Sequence, residues 1–431
     1  MGSGARGQAP ATLRHPRLLL LAAVLLVAAN LRSTITGVGP LLTQISADMG
    51  TTEAALGLLA AIPLMAFAVV SPLAHILGVR FGISAVVLGS LIALGVGTVW
   101  RSIPGSPLNL WAGTVMIGAS LAVANVLLPA VIKRDFTDRL AVVTSLFTAF
   151  LSGTGALASG VVVPVSQVQA AEGVLGWQGA LLFSGALVPL ALAVWLATWA
   201  RRRGVGKPHQ EQVAAGAPDD KATASTGQHK QAGSQWGVWG DAVAWQVLSY
   251  MGFQAMAFYM MVTWLAPLAH SIGRGEVIAG VDVMLLQVSS LAGSLAVPIL
   301  LRGQLARWTP AFIPVFGIVA IAGLIAAPAL LLGWVILYGL SSGASLAMSF
   351  SLFGLRARTP AAAGRLSGMA QSGGYAIAAA GPVAFGSLLS LTGGWFAPLL
   401  LVELTLAAQL AVGIFVGRER HVLPASVSKG G

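Results

Sequence analysis

The sequence predicts an all-α polytopic membrane protein that crosses a bilayer twelve times, and three observations carry the prediction. Hydrophobic residues make up 56% of the chain and charged residues only 9%, whereas soluble domains use roughly 25% charge to cover their surface. Apolar windows of the length that spans the hydrocarbon core, about 20 residues, recur twelve times along the 431 residues. The basic residues, finally, are sorted to one side of those windows.

The windows lie near residues 17–46, 52–77, 83–101, 109–131, 141–165 and 177–200, then 241–271, 277–300, 309–330, 332–354, 365–391 and 395–416. Arg6, Arg14 and Arg17 precede the first run as they would in a secretory leader. That run contains Asn30 and Arg32, and no A-x-A cleavage site follows it, so it reads as the first membrane helix. Most connections are short, which makes neighbouring helices antiparallel. The exception is 201–240, which opens on Arg201-Arg202-Arg203 and continues in Gly, Gln, Ala, Ser, Thr and Asp. Such a composition cannot bury a core, and it predicts a disordered tether. The expected organisation is therefore an N-terminal six-helix bundle over 1–200, a linker over 201–240, a C-terminal six-helix bundle over 241–417 and a tail over 418–431.

With the N-terminus inside, 21 of the 24 Lys and Arg residues fall on cytoplasmic segments; Arg101 and Arg274 fall on outer loops and Arg32 within a helix. This asymmetry is the positive-inside pattern and predicts a cell-membrane protein with both termini cytoplasmic. The net charge of +11 is thereby explained by topology and anionic lipid, without nucleic acid. Trp100, Trp111, Trp177, Trp199, Trp308, Trp334 and Trp395 fall at predicted helix ends, as an interfacial belt requires. The 53 glycines favour close helix packing. There is no cysteine, which excludes disulfides and thiolate metal sites. His15, His75, His209, His229, His270 and His421 are scattered over ends and loops. No clustered metal or nucleophile chemistry is expected, hence no enzyme and no cofactor.

One residue stands apart. Arg32 lies about fifteen residues into the first helix, roughly 20 Å from its cytoplasmic end at 1.5 Å per residue. A cation there is expensive and marks a binding site or an ion path. The alternative is a structural arginine that snorkels or pairs with helix dipoles, but the depth opposes snorkelling, and the first half has no acid at comparable depth. Thr36 follows one turn later on the same face, and Asn30 is close by.

The stretch Asn30-Leu-Arg32-Ser-Thr-Ile-Thr36-Gly-Val-Gly-Pro40 resembles the first-helix motif of the cyanate/nitroimidazole transporter family, a branch of the major facilitator superfamily. Three further stretches agree: Ala124-Asn125-Val-Leu-Leu-Pro129 running on to Lys133-Arg134-Asp135-Phe136, Phe258-Tyr259 with Trp264-Leu-Ala-Pro267, and Leu366-Ser-Gly-Met-Ala-Gln371-Ser-Gly-Gly-Tyr375. The similarity runs through all twelve predicted helices. One departure is visible: Leu77-Gly78-Val79-Arg80-Phe81-Gly82 lacks the Asp that usually precedes Arg in this loop, which weakens an Asp-based gate there.

The resemblance implies the major facilitator fold: two pseudo-symmetric six-helix bundles around a cavity lined by helices 1, 4, 7 and 10. Pairing Pro40 with Pro267 sets Arg32 against Tyr259 and Thr36 against Thr263; Arg139-Leu140 pairs with Arg365-Leu366 at nearly the same offset. On that architecture Arg32, Thr36, Asn30, Asn125, Gln254, Tyr259, Gln371 and Tyr375 are the expected solute-binding residues, with Ser341, Ser342 and Ser345 facing the same space. For each Asn, Gln or Tyr the alternative is an interhelical hydrogen bond that glues the bundle. Arg80, Lys133, Arg134, Asp135 and Arg139, with Arg356, Arg358 and Arg365 as counterparts, form the expected gating charge network.

The implied function is secondary-active transport, by alternating access, of a small planar anionic or nitro-aromatic solute, cyanate-like or nitroimidazole-like. A guanidinium engages two oxygens of such a solute at once. No ATP-binding motif is present. Protons are the candidate coupling ion, but Glu403, Asp282, His75 and His270 sit at helix ends or on peripheral helices. A drug–proton antiporter of the same fold predicts a deep carboxylate that is missing from helices 1 and 4. A non-transporting membrane sensor would need a folded signalling domain, for which 201–240 is too short and polar. The expected partners are the solute and the lipid bilayer, and the expected state is monomeric.

Overall fold

The computed structural model describes residues 14–170, 173–204, 235–302 and 304–422. The expected tether lies, over 205–234, outside the described residues, as do 1–13 and the last part of the tail, 423–431. The helices are α1 (Arg14–Thr36), α2 (Leu42–Met49), α3 (Glu53–Phe81), α4 (Ile83–Arg101), α5 (Pro107–Asp135), α6 (Leu140–Ser166), α7 (Gly176–Phe183) and α8 (Val188–Gly204). They continue as α9 (Ala242–Ser271), α10 (Glu276–Leu300), α11 (Thr309–Ala326), α12 (Leu331–Leu355), α13 (Pro360–Thr392) and α14 (Phe396–Val416). Twelve spans among the described residues are long and apolar enough to cross a membrane.

Helix starts are chemically marked. The side chains of Thr52, Ser106, Asp241 and Thr359 accept backbone N–H bonds from the first turns of α3, α5, α9 and α13. Gly50 and Gly393 end α2 and α13 in the left-handed conformation that glycine tolerates.

Two spans expected to be continuous are broken. The first is interrupted after Thr36 by a 3-10 turn over Gly39–Leu41, and the sixth is split between α7 and α8. Their hydropathy runs on without a dip, so apolar windows do not reveal the breaks. A hairpin of β1 (Gln169–Ala170) and β2 (Gly173–Val174) before α7 is the one departure from pure helix among the described residues.

The packing repeats. In the first half α1 packs on α6 and α8, α3 on α5 and α4 on α5; six spans later α9 packs on α13 and α14, α10 on α12 and α11 on α12. The halves meet through α3 with α13 and α6 with α10. This is the arrangement of two repeated six-helix bundles that the resemblance implies. Where helices cross closely, glycine is required: a β-carbon on Gly343 of α12 would overlap the Ser290 carbonyl of α10.

At the basic end, Arg356 joins α12 to α14. Its Nε donates to the Val416 carbonyl at 2.8 Å and its Nη2 to the Gly417 carbonyl at 3.1 Å. Arg356→Ala is expected to cost about 1.5–3 kcal/mol, the usual value for hydrogen bonds from a charged donor. The check is thermal unfolding in detergent; Arg356→Lys should recover only part of the loss, because a single ammonium does not reproduce the fork.

Candidate functional site: a one-sided cavity around Arg32

The halves close at the end away from most of the basic residues. A β-carbon on Gly39 would lie 2.6 Å from the Val262 carbonyl, and one on Gly280 would lie 2.9 Å from that of Ser159. Gly57 abuts the Pro382 carbonyl in the same way. Gln44 Nε2 crosses the interface to Glu276 Oε2 at 3.0 Å. Towards the basic end the halves part around a cavity of about 570 Å³, within the usual range for small-molecule sites.

Arg32 lines this cavity, as do Asn125, Tyr259, Gln371, Tyr375 and Lys133. Its guanidinium stands 5.2 Å from the centre of the Phe258 ring. Among the described residues no carboxylate comes within ion-pairing distance of it. A cation over an aromatic face gains about 2 kcal/mol when desolvated, less than the cost of holding a charge in mid-bilayer. The remainder is available to an electronegative guest. Phe67 packs its ring 5.2 Å from that of Tyr375, and Phe147, Leu151 and Phe350 complete a mainly apolar wall. The site is a mainly apolar chamber with two cations, Arg32 in its depth and Lys133 at its basic mouth, and a few neutral hydrogen-bonding groups. Among the described residues no carboxylate lines it.

Three residues expected at the site do not line this cavity. Asn30 is fully buried and donates to the Leu26 carbonyl at 2.8 Å; two residues from Arg32, it points to the other side of α1. Thr36 shares its hydroxyl between the carbonyls of Arg32 (3.0 Å) and Gly155 (2.9 Å), joining α1 to α6. Gln254 reaches the Ser342 carbonyl at 3.4 Å, joining α9 to α12. Ser341, Ser342 and Ser345 are buried in packing, and Ser341 donates to the Ile313 carbonyl of α11 at 2.8 Å.

Several contacts of the charged residues at the basic end are seen. Arg134 pairs with Asp135 at 2.9 Å, and Arg17 approaches Asp138 at 3.8 Å with both side chains exposed. Arg80 stacks on Phe81, Arg139 is exposed, and Arg365 is half-buried in the first turns of α13. Arg358 borders a surface pocket with Glu419 and Arg420.

One placement corrects the sequence reading. Arg101, expected in an outer loop, is the last residue of α4 and only 1% exposed. The helix breaks explain this. The Val38 N–H bonds to Ile35 instead of Thr34, and the Gly185 N–H to Leu182 instead of Leu181. The Thr34 carbonyl so freed receives Arg101 Nη1 at 2.9 Å; Nη2 donates to Ser184 Oγ at 3.0 Å and, at 3.5 Å, to the Leu181 carbonyl, which also accepts from Ser184 Oγ at 2.6 Å. Asp282, near the outer end of α10, is fully buried and held in a two-pronged ion pair by Arg274 at 2.6 and 2.8 Å. Gln287 was not singled out by the sequence reading, although an amide in a membrane-spanning run is itself a signal. It crosses from α10 to α6, donating to Ser159 Oγ at 2.7 Å and the Gly155 carbonyl at 3.2 Å. Among the described residues no group of three or more His, Asp or Glu could hold a metal ion.

The comparisons with known proteins agree with this architecture. The family model described as Major Facilitator Superfamily matches residues 20–382. The chain is 35% identical to the 2-nitroimidazole transporter of Escherichia coli (strain K12), over 94% of this chain and 97% of that protein. It is 25% identical to the cyanate transport protein of the same organism, over 92% and 95% of the two. In fold it matches the crystal structure of the nucleoside transporter NupG with a TM-score of 0.72 at 13% identity, covering 94% of this chain and all of that one. The chain belongs to the major facilitator superfamily and is a secondary transporter.

Proposed function

We propose that the cargo is a small, planar, electron-rich solute, either an anion of the cyanate or carboxylate type or a nitro-heterocycle, bound by Arg32 at the membrane midplane. The observation that carries this reading is the unpaired guanidinium of Arg32 in a chamber without carboxylates, backed by Phe258. Arginine offers two parallel donors to the paired oxygens of a nitro or carboxylate group. Tyr259, Tyr375 and Phe67 supply faces against which a flat ring stacks, and Asn125 and Gln371 supply neutral hydrogen bonds. The relatives named for nitroimidazole and cyanate support the same class.

In the orientation the basic residues favour, the cavity opens to the cytoplasm and both termini are cytoplasmic. Alternating access then requires 1–200 and 241–417 to rock about the Arg32 level, parting at Gly39 and Gly57 while closing over Lys133. Arg80, Lys133, Arg134, Asp135, Arg139, Arg356, Arg358 and Arg365 would ring the closing end. The absence of a cavity carboxylate favours this reading over a drug–proton antiporter. Counterflow into proteoliposomes tests it. Labelled 2-nitroimidazole should accumulate against preloaded unlabelled solute, while imidazole without the nitro group should not. Equal handling of both, or of neither with cyanate also inert, would overturn the assignment.

A further inference from the structure

Beyond Tyr259, on the closed side, lies a second and much smaller space. It is a void of about 20 Å³, enough for one water molecule. Residues of both halves enclose it: Thr34, Arg101 and Thr114 from the first, Tyr259 and Thr263 from the second. Tyr259 and Ile35 border this void and the large cavity alike, so they are the partition between them. Gly39, whose close approach to Val262 seals the interface, also borders it.

Arg101 is the cation of this space. Its Nη atoms are tied to the broken helices, yet Nε has no hydrogen-bond partner in a side chain that is 1% exposed. Among the described residues no carboxylate pairs with it. A void that spans the interface on the closed side is the space that widens when the halves part there. Lys133 at the basic mouth, Arg32 at mid-depth and Arg101 at the far end of α4 then fall in order along one path.

We propose that Arg101 and the void behind Tyr259 form a second anion subsite, which opens to the opposite side of the membrane and receives the solute before or after Arg32. The inference rests on the electron-rich cargo proposed above. Charge selectivity at the void tests it, because the natural chain has no cysteine. Thr263→Cys places one thiol in the void, and Ala329→Cys places a control on the exposed turn at the same end. Both are reacted from that side with an anionic and a cationic methanethiosulfonate reagent.

The expected result is an anionic-over-cationic rate ratio about tenfold higher at Thr263→Cys than at the control, the scale of local charge focusing in clefts. Arg101→Gln should abolish the excess and Arg101→Lys should keep it. Equal ratios at the two cysteines, an excess that survives Arg101→Gln, or no labelling of Thr263→Cys from that side would overturn the proposal. If Arg101→Gln does not fold, the comparison with the control cysteine decides alone. Solute binding unchanged in Arg32→Gln would sink the cargo assignment instead, without altering the reagent ratio at Thr263→Cys.

Discussion

Arg32→Ala is expected to weaken binding of a planar anionic or nitro solute about ten- to a hundredfold. A hydrogen bond to a charged group contributes roughly 1.5–3 kcal/mol, and about 1.4 kcal/mol is a factor of ten in affinity. Arg32→Lys should recover only part of this, since an ammonium cannot span two oxygens. Folding should not suffer, because the substitution removes a cation whose burial is costly and whose one aromatic contact offsets little of that cost. Titration calorimetry and thermal unfolding on the same samples separate the two effects. Asn30→Ala and Gln254→Ala should behave oppositely: their amides join buried backbone, so stability falls while affinity stays.

Gly57→Val is expected to reverse the resting conformation. Gly57 of α3 lies directly against the backbone carbonyl of Pro382 in α13, across the interface and at the closed end. A branched side chain cannot be accommodated there by a rotamer change, because the obstacle is main chain. Overpacking of this kind costs about 1–3 kcal/mol, and it is charged only to the state in which that end is shut. Two conformations that differ by a few kcal/mol exchange their populations under such a bias. Ser152→Cys on the cavity wall should therefore lose reactivity from the basic side in the Gly57→Val background, while Thr263→Cys gains it from the other. Unchanged reactivity at both positions would contradict the closure assigned to this contact.

The spans were legible because hydropathy reports the solvent a helix meets, and that signal is strong over twenty residues. The window 83–101 coincides with α4. The breaks in the first and sixth spans were not legible, since Gly37-Val-Gly39-Pro40 and Ser184-Gly185 interrupt hydrogen bonding without interrupting apolarity. Arg101 was misplaced for the same reason: the Thr34 carbonyl that draws it inward is free only once the first helix breaks. Arg32 was legible because a cation at mid-depth is rare whatever its neighbours. Asn30, Thr36 and Gln254 were drawn into the site because helices that are apolar all round give little sign of which face meets a cavity. Asn30 could have been excluded on geometry, since two residues along a helix is more than half a turn. Thr36 could not, because its partner Gly155 lies 119 residues away.

The most direct measurement is a structure of the protein with a bound nitro-heterocycle. The account predicts both nitro oxygens at about 2.8 Å from the terminal nitrogens of Arg32, the usual length for such charged contacts, with the ring against Tyr259 or Tyr375. A solute held elsewhere in the cavity, with the Arg32 guanidinium still unengaged over Phe258, would contradict it.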